Sequence, residues 1–310
     1  MRKYKAMFLS ILIPTYNYDC SALVAELAKQ AACVEGLLWE IIVGDDGSTL
    51  QEVLVANRKI NNIPCCEYWE RGCNSGRSAI RNALYRRSRG THLLFLDGDG
   101  MPACNAFLSC YVAEAMREPV GVLCGGILHP EVLPSPAVSL RWRYEKCAEK
   151  RMTVEWRNAH PYTNFRSFNF LIDRESFSRL LFDENIKQYG FEDNLFGQAL
   201  CDNGVAIKHI DNPMLNIDIE PNALYIKKNE EALATLAKHY AQLAPHVRLA
   251  VQLGRVERCH MGWLLSLAYD VLRPLLMKNL LNDVPRVWVL NFYKAGFLRS
   301  LLKGRCKNSL

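Results

Sequence analysis

The chain has 310 residues, half of them hydrophobic, which is enough for a sizeable core in one large domain or two small ones. Its net charge of +6 is placed unevenly, because residues 255–310 hold ten Lys or Arg and three acidic residues while the rest is near neutral. This distribution argues against a nucleic-acid groove through the main part of the chain, so no nucleic-acid partner is expected. No uncharged stretch reaches the roughly 18 residues that a membrane span needs.

The cysteines and the N-terminus predict a cytosolic chain. The twelve cysteines are scattered and form no Cys-x-x-Cys pair, which favours reduced core residues over a zinc site or a disulfide framework. The basic N-terminus is followed by an apolar run that stops at Pro14, and this indicates a strand rather than a signal peptide.

Strand and helix patterns alternate at short intervals through the first 125 residues. Apolar runs predict strands at residues 8–13, 39–43, 65–69, 91–96 and 120–124. Helical spacing between them predicts helices at residues 21–34, 50–60, 74–87 and 103–116. Because the strands are apolar on both faces and are separated by helices, the pattern is typical of an α/β fold with a mainly parallel sheet.

The alternation ends after about residue 125. Residues 129–165 are rich in Pro, Trp, Arg and Tyr and form a long excursion, of the kind that often covers a substrate site in enzymes. Further elements are predicted as a strand at 168–172, a helix at 191–202, short strands at 205–210 and 214–219, and helices from residue 223 onward.

Polar clusters follow three of the predicted strands, namely Pro14-Thr15-Tyr16, Asp45-Asp46 and Asp97-Gly98-Asp99. Ligands of parallel sheets bind at the carboxyl ends of the strands, so these clusters are expected to meet at one edge. Asp97 and Asp99 can point the same way from an extended chain, and two hard oxygen donors suit Mg²⁺ or Mn²⁺, which suits a diphosphate. Taken alone, Asp-Gly-Asp also fits a solvated turn after a strand.

Five segments resemble motifs of the family 2 glycosyltransferases and occur in that family's order. They are residues 10–17 (SILIPTYN), 41–48 (IIVGDDGS), 74–82 (NSGRSAIRN), 96–99 (LDGD) and 190–197 (GFEDNLFG). The resemblance covers roughly residues 8–220. It implies the A-type glycosyltransferase fold, in which a nucleotide-binding α/β half is joined to an acceptor-binding half.

The resemblance also predicts a domain organisation. Residues 1–222 would form the catalytic domain, with residues 1–125 as the nucleotide-sugar-binding half and residues 126–222 as the acceptor-binding half. Residues 223–310 would form a helical, basic, amphipathic tail.

A nucleotide-sugar donor, in the first place a UDP-sugar, is implied by the same resemblance. Pro14, Thr15 and Tyr16 would hold the base and the ribose, and Asp45 would accept a hydrogen bond from a uracil N–H. The alternative for the segment that begins at Asp45 is a plain turn with a helix cap.

Two arginines of the third motif lie four residues apart on one helix face. The resemblance implies that Arg81 reaches the base or the diphosphate, with Arg77 beside it. The alternative is a solvated basic face that contacts no ligand.

The resemblance further implies inverting chemistry with Mn²⁺ or Mg²⁺ as cofactor. Asp99 would ligate the cation and Asp97 would touch the ribose or a metal-bound water, so that charge on the departing nucleoside diphosphate is neutralised. Asp193 would be the general base for the acceptor hydroxyl, and Glu192 would orient the acceptor or the sugar. The alternative for Glu192 and Asp193 is favourable charge at a helix N-terminus, worth about 0.3–1 kcal/mol.

One position departs from the family's pattern. After residues 210–213 (IDNP), relatives often carry a histidine that helps to bind the metal or the diphosphate, whereas this chain has Asn216. An asparagine carbonyl oxygen is a harder and weaker ligand than imidazole. His209 could substitute as a metal ligand, although a structural role in its strand is the favoured interpretation.

The tail interleaves Lys and Arg with apolar and aromatic residues. Trp263, Leu267, Val271 and Leu275 belong to a predicted apolar helix face, and basic amphipathic helices of this composition lie in membrane interfaces. A peripheral position at the inner face of the cell membrane, with a glycan or lipid-linked acceptor, is therefore expected. The alternative is a helical cap packed on the core.

The sequence thus predicts a metal-dependent transferase of surface-polysaccharide or glycolipid assembly. A nucleotidyltransferase would need a glycine-rich basic loop after the first strand, and the segment from Pro14 to Asn17 is not such a loop. A catalytically impaired nucleotide- or glycan-binding homologue stays open because of Asn216.

Overall fold

A computed structural model describes residues 7–118, 120–186 and 190–308, with side chains described as far as residue 304. It divides into two compact units. The first unit comprises Met1–Leu128, Met152–Lys187 and Phe196–Asp218, and the second comprises His129–Arg151, Gln188–Leu195 and Ile219–Leu310.

All described strands belong to the first unit. They are β1 (Phe8–Thr15), β2 (Leu38–Asp45), β3 (Cys66–Glu70), β4 (His92–Leu96), β5 (Gly100–Pro102), β6 (Val122–Cys124), β7 (Ile127–Leu128), β8 (Asn169–Asp173), β9 (Ile207–His209) and β10 (Met214–Asn216).

The described helices occur in both units. They are α1 (Ser21–Ala32), α2 (Gln51–Arg58), α3 (Arg77–Arg87), α4 (Phe107–Arg117), α5 (Ser139–Glu149), α6 (Val154–Ala159), α7 (Arg174–Leu180), α8 (Glu192–Asp202), α9 (Asn222–Lys238), α10 (Tyr240–Leu243), α11 (Arg248–Arg258), α12 (Gly262–Leu280) and α13 (Val287–Asn308). Short 3₁₀ helices cover Lys59–Asn62 and Pro136–Val138.

The main sheet of the first unit has seven strands in the order β3-β2-β1-β4-β8-β6-β9. Strands β3, β2, β1 and β4 run parallel, as do β6 and β9, whereas β8 is antiparallel to both of its neighbours. The predicted mainly parallel α/β sheet is therefore confirmed, with one reversed strand. A second sheet of three strands has the order β5-β10-β7.

Burial on both faces explains why the central strands are continuous apolar runs. Along β1, Ile11 and Ile13 pack into one core cluster and Leu12 packs into another, so successive side chains enter opposite sides of the sheet. All three side chains are fully buried. The sheet is thus covered on both faces, which leaves its carboxyl edge as the place where polar side chains collect.

The second unit is helical, as predicted for the chain after residue 223. One core cluster joins α5, α9, α12 and α13 through residues that include Tyr225, Tyr269 and Leu290. A second cluster includes Leu236 of α9, Leu253 of α11 and Leu298 of α13. Across the described helices, none combines the length and the apolarity that a bilayer crossing requires.

Some elements were not predicted from the sequence. The excursion at 129–165 contains α5 and α6, and β5, β7 and α7 are also additional. Strands of two or three residues carry no periodic pattern, and α5 reads as a polar, arginine-rich segment because only its Ser139 and Leu140 are buried. The prediction that the cysteines are core residues is wrong for most of them, since only Cys20 and Cys124 of the described cysteines are buried.

Candidate active site

The carboxyl ends of β1, β2 and β4 lie side by side in the first unit. Thr15 and Asp45 are partners in the parallel register of β1 and β2, and the backbone N–H of Asp46 donates to the carbonyl of Thr15 over 2.9 Å. At the end of β4, a Cβ atom on Gly98 would lie 3.6 Å from the carbonyl oxygen of Pro14 and 3.6 Å from the hydroxyl oxygen of Thr15. The three polar clusters predicted from the sequence therefore meet at one edge of the sheet.

The three residues predicted to hold base and ribose differ in exposure. Tyr16 is about half exposed, whereas Thr15 is buried and its hydroxyl donates to the carbonyl of Tyr18 over 3.1 Å. Pro14 is partly buried at the end of the strand. Tyr16 is therefore the member of the three that offers an exposed aromatic ring for stacking on a base.

Asp45 is placed at the predicted edge, and both of its carboxylate oxygens already accept hydrogen bonds. One oxygen accepts from the backbone N–H of Ser48 over 2.6 Å, and the other accepts from the hydroxyl of Tyr68. Burial, together with the bond to Asp45, raises the pKa of Tyr68 well above its usual value, so this hydroxyl stays a donor. Each oxygen of Asp45 already accepts one hydrogen bond from the protein. A nucleobase N–H would therefore have to donate to a remaining lone pair of one of these oxygens.

Asp46 organises the start of α3. Its carboxylate accepts from the backbone N–H and the hydroxyl of Ser75, from the backbone N–H of Gly76 over 2.8 Å, and from Arg71 over 3.3 Å. Gly47 has φ +83°, and a side chain there would approach the backbone carbonyl carbon of Cys73 to 2.7 Å. The Asp-Asp-Gly turn thus clamps the segment before α3, a role that the sequence alone did not reveal.

Asn17 is another residue that the sequence analysis left without a role. Its backbone N–H donates to the hydroxyl of Ser48 over 2.6 Å, and its side-chain oxygen accepts from the backbone N–H groups of Thr49 and Leu50. Asn17 therefore holds the loop after β2 and satisfies donors at the start of α2. Its φ of +51° lies in the region that asparagine tolerates better than most residues, and only the structure shows it.

Arg81 and Asp97 form a largely buried ion pair. The guanidinium Nη2 of Arg81 lies 2.6 Å from Oδ1 of Asp97, and Nη1 donates to the carbonyl of Arg77 over 3.3 Å. Arg81 is 1% exposed, whereas the Asp97 side chain is 20% exposed. Arg81 therefore holds Asp97, and its buried Nε has no hydrogen-bond partner of its own. Arg77, on the same helix, is exposed.

Asn216 is the neighbour of the Asp97–Asp99 turn across the small sheet. Asn216 of β10 is the register partner of Gly100 of β5, and the backbone N–H of Ile217 donates to the carbonyl of Asp99 over 3.2 Å. Asn216 is buried, and its side-chain oxygen has no hydrogen-bond partner. Buried carbonyl oxygens are normally paired, so this oxygen, on a residue that pairs with the strand following Asp99, fits a ligand position for a hard cation.

The donor set at this edge is therefore two carboxylates and an amide. Within the part of the chain that the structure describes, no group of three or more His, Cys, Asp or Glu side chains is arranged to hold a metal ion. The Asp97–Asp99 turn with Asn216 fits Mg²⁺ or Mn²⁺, which prefer oxygen ligands and often retain several waters.

His209 has both ring nitrogens engaged in the first unit. Its Nε2 lies 2.9 Å from the carbonyl of Pro161, and its Nδ1 lies 3.3 Å from Nη1 of Arg157. Burial lowers the pKa of His209 to about 4, opposed by the bond to Pro161 and reinforced by the charge of Arg157. The structure thus favours the structural role of His209 over metal binding.

Glu192 and Asp193 open α8, and both belong to the second unit. Two left-handed residues precede them, Gly190 with φ +100° and Phe191 with φ +70°. A side chain at Gly190 would approach the Cβ atom of Ala232 to 2.7 Å, so this turn requires glycine. Glu192 is buried, and Oδ1 of Asp193 is a buried oxygen without a hydrogen-bond partner. Such strained turns cluster at functional sites.

Comparison with known proteins gives a family match and a fold match. The model of glycosyl transferase family 2 matches residues 10–181. An uncharacterized glycosyltransferase of Haemophilus influenzae is 29% identical over 91 residues, which are 29% of this chain and 36% of that protein. The chain thus spans about a third of the length of the curated relative that it matches.

Two solved structures share the fold over nearly the whole chain. The mannosyltransferase PcManGT of Pyrobaculum calidifontis, solved with GDP-Man and Mn²⁺, is 16% identical with a TM-score of 0.58, covering 98% of this chain and 88% of its own. TarS 1–349 of S. aureus, solved with UDP-GlcNAc, is 16% identical with a TM-score of 0.51, covering 97% of this chain and 92% of its own.

The fold is therefore the A-type glycosyltransferase fold, and the class of protein is that of the glycosyltransferases. The family follows from the extent of the match, because residues 10–181 make up more than half of the chain. The chain belongs to glycosyl transferase family 2.

Proposed function

We propose that the chain transfers a sugar from a nucleotide donor, a UDP-sugar in the first place, to a hydroxyl of a glycan or lipid-linked acceptor. The reaction requires a divalent cation, Mn²⁺ or Mg²⁺, and inverts the anomeric centre. The observation that carries the proposal is the Asp97–Asp99 turn at the sheet edge, beside the buried, unpartnered oxygen of Asn216. The domain assignment, with a catalytic part at residues 1–222 and a tail at residues 223–310, belongs to this proposal.

The donor would bind at the carboxyl edge of the first unit. Tyr16 stacks on the base, and Pro14 and Thr15 shape the wall beside it. Asp45 accepts from the base N–H with a lone pair left over from its two internal hydrogen bonds. Arg81 holds Asp97 toward the ribose, and Arg77 contributes positive charge near the diphosphate.

Asp99 and Asn216 would hold the cation, with Asp97 contacting it through water. Bound there, a divalent cation supplies positive charge that neutralises the departing nucleoside diphosphate. An amide oxygen is a weaker ligand than imidazole, so cation affinity is expected to be modest without donor and higher once the diphosphate adds its own oxygens.

Asp193 is proposed as the general base, supported by its position in the family motif and by its unpartnered oxygen. The acceptor oxygen forms a bond to the anomeric carbon while the bond from that carbon to the diphosphate oxygen breaks. The acceptor proton passes to the Asp193 carboxylate, and Glu192 orients the acceptor or the sugar. With one base and no second nucleophile, the displacement is direct and inverts the anomeric centre.

The nucleobase is a separate point within the proposal. One structural neighbour was solved with GDP-Man and the other with UDP-GlcNAc, so the shared fold accepts either base. The preference for uridine here comes from the resemblance of residues 41–48 to the family's second motif, in which Asp45 meets a uracil N–H.

The acceptor and the cellular position rest on the tail. Residues 255–310 carry a net charge of +7, which suits the anionic inner surface of a cell membrane and a lipid-linked acceptor presented there. A role in surface-polysaccharide or glycolipid assembly and a peripheral position at that surface are part of the proposal.

A second function is favoured by one observation. Asn216 replaces the expected histidine, and a protein with too weak a cation site would bind nucleotide or glycan without transfer. Purified chain incubated with Mn²⁺ and a panel of UDP- and GDP-sugars separates the two functions. Release of free nucleoside diphosphate with one donor supports the transferase. Thermal stabilisation by a donor without any release, even with acceptor mixtures, would support the binding protein.

A further inference from the structure

The two long helices of the tail differ in what they do with their apolar residues. In α13, Val289, Leu290, Tyr293 and Leu298 are all buried in the cores of the second unit. The helix α13 is therefore packed, and two of its bases are engaged within the second unit, since Arg299 is buried and donates to Glu257 and Lys294 lies over the ring of Tyr144. This helix is the structural cap that the sequence left open as an alternative.

The helix α12 is apolar on two faces. Tyr269, Leu276 and Leu280 face the core of the second unit and are buried. On the opposite side lies a continuous stripe of exposed apolar residues at i, i+4 spacing, here called the α12 outer face: Trp263 (63% exposed), Leu264, Leu267, Val271 (66%) and Leu275 (64%). A helix packed only as a cap would carry polar residues on that side.

Exposed apolar residues continue beyond the end of α12. Leu281 and Val284 follow in the connection to α13, and Trp288 lies in the first turn of α13 with 62% of its surface exposed. Contiguous exposed apolar patches of this kind mark interaction surfaces in soluble proteins.

The charges around the α12 outer face point to the nature of its partner. Arg258, Arg273, Lys278 and Arg286 are exposed on α12 or immediately beside it. Two exposed acidic residues, Asp270 and Asp283, lie in the same stretch. Over residues 258–286 the four bases thus outnumber the two acids.

The composition of the α12 outer face favours a lipid surface over a second copy of the chain as its partner. Tryptophan prefers the level of lipid headgroups, and amphipathic helices with basic flanks and Trp and Leu faces lie in membrane interfaces. A second copy of this chain would bring two net-positive segments together, which is unfavourable, whereas an anionic lipid surface is complementary to the charge.

We propose that the α12 outer face lies in the interfacial layer of an anionic bilayer, with Trp263 and Trp288 at headgroup level. The attachment is a property of α12 and not of the whole tail, and it does not depend on the transfer reaction. It also requires no helix to cross the bilayer.

The test uses the full chain, because α13 belongs to the core and a truncation at residue 254 would remove packed residues. Cosedimentation compares vesicles of phosphatidylcholine alone with vesicles that contain a third phosphatidylglycerol. We expect strong binding to the anionic vesicles, weak binding to the neutral ones, and release at 0.5 M salt as screening shortens the field (Debye length about 3–5 Å).

The decisive variants carry the same substitution on two exposed helical valines. Val271→Glu places a carboxylate on the α12 outer face, while Val55→Glu makes the identical change on α2, where Val55 is also exposed. We expect Val271→Glu to weaken vesicle partitioning about tenfold or more, and Val55→Glu to leave it unchanged. Both variants should melt like the parent, because neither valine is in the core.

Tryptophan fluorescence reports directly whether the α12 outer face contacts the lipid. Trp263→Phe and Trp288→Phe should each remove a large part of the vesicle-induced blue shift in fluorescence, and Trp39→Phe should not, since Trp39 lies in β2 of the first unit. Equal loss of binding in Val271→Glu and Val55→Glu, or equal binding to neutral and anionic vesicles, would overturn the proposal. Absence of vesicle binding, with light scattering showing a dimer that Val271→Glu dissolves, would overturn it in favour of a second copy.

Discussion

Two acidic turns flank β1, and they are used differently. The turn after β2 holds Asp45 and Asp46, which are 1% and 4% exposed, and all four of their carboxylate oxygens accept hydrogen bonds from the protein. The turn after β4 holds Asp97 and Asp99, which are only partly buried, and borders the unpartnered oxygen of Asn216. The carboxylates of the first turn are thus already engaged by the protein, whereas those of the second turn keep part of their surface exposed.

The difference comes from the neighbours of each turn. Beside β2, the segment before α3 offers backbone N–H groups and the hydroxyl of Ser75, which consume the capacity of Asp46. After β4, the chain continues into β5, which pairs with β10. Asp97 forms an ion pair with Arg81, and part of its side chain stays exposed. Similar motifs at equivalent strand ends therefore differ in how much of their hydrogen-bonding capacity the protein already uses.

The largest effect is expected for Asp99→Ala. Loss of a cation ligand removes several kcal/mol of charge stabilisation in the transition state, on the order of 10³–10⁴-fold in rate. Melting in the absence of ligand should change little, because the Asp99 side chain is only partly buried. The measurement is nucleoside diphosphate release across a Mn²⁺ titration, together with Mn²⁺-induced thermal stabilisation in the presence of UDP.

Asp211→Ala is the matched control for Asp99→Ala, since Asp211 is an exposed carboxylate of the same unit. Wild-type turnover by Asp99→Ala, with an unchanged Mn²⁺ requirement, would show that Asp99 does not bind the cation. The two turns would then not differ in the way proposed.

Asp193→Asn extends the comparison to a second unpartnered oxygen. The substitution keeps the shape and removes the proton-accepting group, so kcat should fall about 10²–10⁴-fold while donor affinity changes little. Steady-state kinetics with donor titrated at saturating acceptor checks the prediction. If the loss appeared in donor binding with kcat intact, Asp193 would be a donor contact and not the base.

Asp97 is paired with Arg81 and is also proposed to contact the donor. Asp97→Ala tests whether it contributes to both stability and donor binding. It leaves the guanidinium of Arg81 buried without its ion partner, which we expect to cost about 2–4 kcal/mol in the free energy of unfolding, in addition to any loss of donor binding. Chemical denaturation measures it. The double variant Arg81→Met with Asp97→Asn, which removes both charges, should recover much of the stability. A destabilisation that the double variant leaves in place would show that the ion pair is not the cause.

Asp46→Asn should damage stability rather than chemistry. An amide cannot accept from Ser75, Gly76 and Arg71 together, so we expect a loss of about 1–3 kcal/mol in the free energy of unfolding. At a temperature where the variant stays folded, kcat should remain within about an order of magnitude of the parent. Asp202→Asn, on the exposed end of α8, serves as control. A stable but inactive Asp46→Asn would place this turn among the catalytic groups.

A further prediction concerns the pH dependence that His209 gives to stability. Its folded pKa of about 4 lies below the unfolded value of about 6.5, so the unfolded chain takes up a proton in this window and the folded chain does not. The free energy of unfolding should therefore fall as the pH drops from about 6.5 to about 4, by about 3 kcal/mol at most. Above about pH 6.5, His209 is neutral in both states and should add no pH dependence. Denaturation series at several pH values compare the parent with His209→Gln.

The His209 prediction is read as a change in slope. His209→Gln should flatten the pH dependence of the free energy of unfolding between about pH 4 and pH 6.5. An unaltered slope in His209→Gln would assign the acid sensitivity to other groups.

The parallel part of the sheet and its carboxyl edge were predictable because strands buried on both faces are continuous apolar runs. Residues 8–13 and 91–96 were predicted from that pattern and appear as β1 and β4 within two residues at each end. The reversed direction of β8 was not predictable, since an apolar run has the same composition in either direction. The strands β5 and β7 are too short to show a period and exist only because β10 pairs with them.

Apolar periodicity in the tail also predicts less than the structure shows. A stripe at helical spacing predicts that one face will be removed from water, but it does not say by what. In α13 the cover is the rest of the second unit, and Leu290 is fully buried. In α12 the residues around Val271 have no such cover in the described part of the chain, and only the tertiary structure separates the two helices.

The sequence by itself determined which carboxylates stand at the edge of the sheet, because strand ends and their turns are local features. Only the tertiary structure decided which of those carboxylates are already used. The partners of Asp46 and Asp97 lie 29 and 16 residues away along the chain, and they arrive through the packing of α3 against the sheet. Hydrogen-bond capacity is consumed through space, so it cannot be read from spacing along the chain.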